Sequence, residues 1–141
     1  MKNLLICAMA GALVACGGGS GGVSGPITAE AAAKMDPADL VDRVVADMTA
    51  AKEMMDGIQT VEDAEAAQPE LAEIGERYTV LMTALRDLDQ SRIKNAETFM
   101  QKQMQSADAL AGFMNSLNAL QARNVQAAQV IMPELQHFRP T

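Results

Sequence analysis

Apolar residues return every seven positions through the middle of this chain. Ala64, Leu71, Tyr78 and Leu85 form one series, and Ala67, Ile74, Leu81 and Leu88 form a second. Two such series, offset by three residues, make one stripe along an α-helix, whereas a strand would scatter them over both faces. A helix with one apolar stripe needs neighbours to cover it. The composition agrees. Tyr78, Phe99, Phe113 and Phe138 are the only aromatic residues, and beyond residue 26 glycine occurs only at positions 57, 75 and 112. A β-sandwich or barrel needs more β-branched, aromatic and turn residues than this. The 141 residues suffice for one domain and are too few for two separate cores.

The expected fold is all-α: an up-down bundle of three long helices, with room for a short fourth at the C-terminal end. Asp36-Pro37 is a strong start, because aspartate caps and proline suits the first helical position. The first long helix should run over 37–57, with Val41, Met48 and Met55 on its stripe and Gly57 as its stop. Residues 28–35 ahead of it read as a short, frayed helix. Thr60 can cap the second, which should end near Asp87 or Asp89, and Pro69 should kink or restart it. The third begins near Ser91, with Ile93, Met100, Ala107 and Met114 as one core series. Uninterrupted to Pro133 it would be about 60 Å long, against about 45 Å for the second helix. It must either overhang, or break near Arg123-Asn124 and fold back.

The first 26 residues carry an address. A lysine, then an apolar run over 4–15 too short for a membrane span of ~20 residues, reads as a secretory signal. Its end, Leu13-Val14-Ala15-Cys16, resembles the bacterial lipobox. That resemblance implies cleavage before Cys16, acylation of its thiol, and retention on a bacterial membrane. Gly17 in place of aspartate implies the outer membrane, facing the periplasm, where two membranes are present. Residues 17–26 (GGGSGGVSGP) are a flexible tether with a typical span of about 17 Å and a contour of about 35 Å. The expected organisation is a signal peptide at 1–15, a lipidated cysteine and tether at 16–27, and the helical domain at 28–141. The tether also matches G-x-S-x-G and G-x-G-x-x-G by chance, without the strand and helix that either chemistry needs.

Charge is uneven. Residues 27–90 hold 15 acidic and 5 basic residues, and residues 91–141 hold 3 and 5. No basic patch is present, which argues against nucleic acid as a partner.

Candidate ligands are few. His137 is the single histidine, so Glu134-x-x-His137 cannot complete a di-iron site, which takes two such units. Met48 and His137 are the pair a haem-binding four-helix bundle would use if a fourth helix placed them opposite one another. Met100 and Met104 are four residues apart on one helix face, a spacing that suits soft Cu(I). Methionine also fills irregular cores, the expected role of Met48, Met55, Met100 and Met114. Ser91, Ser106 and Ser116 have no histidine near them in sequence, and Asp39, Asp42, Glu73, Glu76 and Arg77 read as exposed helix faces. No catalytic residue is assigned and no cofactor is expected.

The stretch Ile58-x-Thr60-Val61-x-Asp63-Ala64-x-x-Ala67-x-Pro69-x-Leu71-x-x-Ile74 resembles a segment of small uncharacterised bacterial lipoproteins with helical bodies. The resemblance implies a fold and a location, and no activity. The expectation is therefore a membrane-anchored envelope lipoprotein. Cys16 meets the lipid bilayer, and a non-enzymatic helical domain docks an envelope protein or self-associates. The alternative is a periplasm-facing bundle that binds Cu(I) or haem.

Overall fold

The structure is a computed structural model, and it describes residues 25–138. The expected signal peptide, Cys16 and most of the expected tether lie outside the described residues. Five α-helices follow in order: α1 (Ala29–Lys34), α2 (Pro37–Gly57), α3 (Val61–Arg86), α4 (Ala96–Arg123) and α5 (Val125–Ile131). Short 3-10 turns occur at Gln90–Arg92 and Glu134–Phe138, and among the described residues there is no strand. The chain is an all-α bundle.

Each start has a local cause. Thr28 caps α1, which forms a regular turn and buries Ala32, so this segment is not frayed. Asp36 accepts the Ala38 N–H at 2.9 Å ahead of Pro37. Thr60 and Asp63 form a reciprocal capping box on α3. Asn95 caps α4, which begins at Ala96 because the chain first makes the Gln90–Arg92 turn. Pro69 stays inside a continuous α3, so the helix does not restart there. α2 stops at Gly57 as expected, with extended Ile58 as its C-cap.

α2 is the central element. It packs on α3 along one side and on α4 along the other, while α3 and α4 scarcely touch. The 87–95 connection carries the chain across the start of α2. Within it, Arg92 donates to the Ala33 and Met35 carbonyls at 2.6 and 2.7 Å. The third long helix then breaks at Asn124, the fold-back that its excess length required. Asn124 ends α4, caps α5 through its side chain, and donates to the Gln59 carbonyl at 3.1 Å. α5 and the following turn pack against α3, and Phe138 lies between Tyr78 of α3 and Phe113 of α4 at centroid distances of 5.0 and 4.9 Å.

The buried stripe of α4 corrects the expected core. Phe99, Phe113 and Leu120 are buried, with Ser106 half-buried between them at the same seven-residue spacing. Met100, Ala107 and Met114, each one residue further on, face outward. Both series have period seven, and the one with the larger rings won the core, because aromatic side chains bury more area. Met48 and Met55 are buried as expected.

Candidate functional site

Polar side chains hold the helices in register. Arg123 reaches the C-terminal carbonyls of α2, donating to Met55, Asp56 and Ile58 at 2.7, 3.3 and 3.2 Å. A cation there satisfies orphan carbonyls and opposes the negative end of the helix dipole. Near the other end of the same pair, Lys102 pairs with Asp42. Lys52 Nζ beside Asp56, with the Ser116 hydroxyl also in reach, holds the Asp56 carboxyl below its usual range. Gln68 of α3 donates to the Val130 carbonyl of α5 at 2.8 Å.

Arg77 does not sit on an exposed face with Glu73 and Glu76, as the sequence implied. Its guanidinium turns toward α2 and donates to Asp47 Oδ1 at 3.1 and 2.7 Å. Asp47 Oδ2 is buried and has no hydrogen-bond partner. Beside this pair, a cleft of about 330 Å³ is lined by Pro26, Ile27, Glu73, Glu76, Arg77 and Val80. The described chain therefore begins against α3.

The proposed ligand residues fall in different settings. Met48 is inside the core, whereas His137 is exposed on the C-terminal turn, which lies over Gly75. A Cβ built on Gly75 would come within 2.8 Å of His137 Cβ, so the missing side chain is what lets this turn lie against α3. α5 is only seven residues long and ends before His137, so no long fourth helix carries the histidine. Met100 and Met104 are 64% and 69% exposed on the outward face of α4. Among the described residues, no three His, Cys, Asp or Glu side chains cluster as metal ligands would. No described helix is long and apolar enough to cross a membrane.

The outward face of α4 is the feature the sequence pattern did not assign. Met100, Met104, Ala107, Ala111, Met114, Asn118 and Gln121 alternate at spacings of four and three, and every one of them is exposed. The signal was legible as a heptad, but it was read as core. No family model, curated protein or solved structure matches the chain.

Proposed function

We propose that this chain is a lipid-anchored bacterial envelope protein whose helical body is a non-enzymatic interaction module. Acylated Cys16 holds it on a membrane, and the glycine tether lets the bundle move around that anchor. The observation that carries the anchor is Leu13-Val14-Ala15-Cys16, at the end of a short apolar run and ahead of a glycine-rich stretch. An attached acyl chain contributes about 0.8 kcal/mol per buried methylene, so two chains anchor stably where one does not. An interaction role is supported by the exposed apolar strip on α4, on a chain whose other long helices are acidic.

The test is metabolic labelling of the whole chain with palmitate in a bacterial host, followed by fractionation. The wild-type chain should carry label and sediment with membranes. Cys16→Ser should lose the label and appear in the soluble fraction. A Cys16→Ser protein that still sediments with membranes defeats the anchor.

A further inference from the structure

Three features remain unassigned: the buried Asp47 oxygen, the cleft at Pro26 and Ile27, and the outward strip of α4. The cleft is small, and nothing in the structure directs the Asp47 oxygen into it. The strip has more to argue from.

We infer that the outward face of α4 is a dimer interface, and that its occupant is α4 of a second copy of this chain, running parallel to the first. This inference rests on the interaction-module reading above and names its partner. The strip fits a coiled-coil seam, with Met104, Ala111 and Asn118 at a positions and Met100, Ala107, Met114 and Gln121 at d positions. Alanines near its middle let two helices approach closely, and the thioethers adapt to an irregular fit. A lone asparagine at an a position fixes register in such pairs.

Charge selects the face. Residues 27–90 carry net −10, and the outer side of α3 exposes Glu62, Glu65, Glu70, Glu73 and Glu76. Two copies meeting there would repel. The a and d positions from Met100 to Gln121 carry no charge, and the charges of Lys102 and Arg123 are engaged with α2. A parallel pair also sets Asn118 against its own equivalent in one a layer, where the two side-chain amides hydrogen-bond, and sets Asp108 opposite neutral Gln103.

Other occupants fit less well. An interfacial membrane helix borders its apolar face with Lys or Arg, whereas Gln101, Gln105 and Asn115 border this one. The described chain begins beside α3, which scarcely touches α4. Area sets the strength. A strip about 31 Å long and about 10 Å wide falls short of the roughly 800 Å² per partner of a standard interface. The dimer is therefore of the weak, transient class.

Disulfide trapping in the whole chain tests this. Met104→Cys, Ala111→Cys and Asn118→Cys are each expressed in the bacterial host and oxidised mildly, with Glu73→Cys on α3 as the comparison. The same set in a Cys16→Ser background removes any contribution of an unlipidated Cys16. The three α4 variants should give a product of twice the chain mass, at least tenfold more than Glu73→Cys. Adding Met104→Glu to Asn118→Cys should reduce that product at least tenfold. Equal yields at all positions, or no product, overturn the dimer. A product with a protein of another mass also overturns it. Palmitate labelling of the same samples reports the anchor separately, so failure of the dimer and failure of the anchor are distinguishable.

Discussion

α3 and α4 are helices of 26 and 28 residues that flank the same central helix, yet their outward faces have nothing in common. α3 turns a row of glutamates to solvent, whereas α4 turns methionine, alanine, asparagine and glutamine. Inward they do the same work, each burying one apolar stripe against α2. The difference teaches that stripe periodicity states how many faces a helix could bury and leaves open which one the bundle uses. α3 has one apolar face and no choice. α4 has two, and the unused one is available to something else.

The largest expected effect comes from removing the ring that joins the two helices. Since α3 and α4 scarcely touch directly, Phe138 between Tyr78 and Phe113 is a main bridge. Phe138→Ala should cost about 3–5 kcal/mol of unfolding free energy. Denaturant titration of the protein should show it, and a loss below about 1 kcal/mol would mean that α5 and the C-terminal turn are held without the ring.

Glycine substitutions sharpen the contrast. Gly75→Ala on α3 drives a methyl into His137 Cβ and should cost about 1–3 kcal/mol despite the better helix propensity. Gly112→Ala on α4 meets only Lys52 Cδ at 3.5 Å and should stabilise by about 0.5–1 kcal/mol. Thermal midpoints that move in the same direction for both would contradict the close approach at Gly75.

The smallest effect is acid sensitivity at the helix starts. Asp63 in the α3 capping box accepts the Gln59 and Thr60 backbone N–H groups, which lower its pKa. Its contribution is present above the unfolded carboxylate value of about 3.9 and is lost as pH falls through the lower folded value. Asn95, which caps α4, does not titrate. Backbone chemical shifts should therefore show the first turn of α3 loosening between about pH 4 and pH 2 ahead of the first turn of α4. Simultaneous loosening would assign acid unfolding to another group.

Much of the architecture was legible. Asp36-Pro37 placed the start of α2, and the heptads of α3 named Leu71, Ile74, Tyr78 and Leu81 as buried. The length of the third helix demanded a break, and Asn124 supplied it. The inward face of α4 was hidden because Ser106 and Ser116 dilute its apolar pattern, while Met100, Ala107 and Met114 give a cleaner one facing out. Arg77 was misread for a related reason. Its neighbours Glu73 and Glu76 are exposed, and only the packing of α3 on α2 shows that Asp47 takes the guanidinium. Met48 and His137 could not be placed from sequence, because their separation depends on the reversal after Arg123.

The route of the 87–95 connection bears on how this bundle assembles. Because α4 passes its chain neighbour and settles against α2, the contacts that fix it and the α5 that follows it are distant in sequence. Lys102 to Asp42 spans 60 residues, Arg123 to Ile58 spans 65, and Gln68 to Val130 spans 62. The α2–α3 hairpin closes over a short turn at little entropic cost, whereas the α2–α4 and α3–α5 pairings must first close long loops. Folding should therefore be slower than in bundles where every helix packs on its predecessor, with the hairpin formed first and α4 docking as the rate-limiting step.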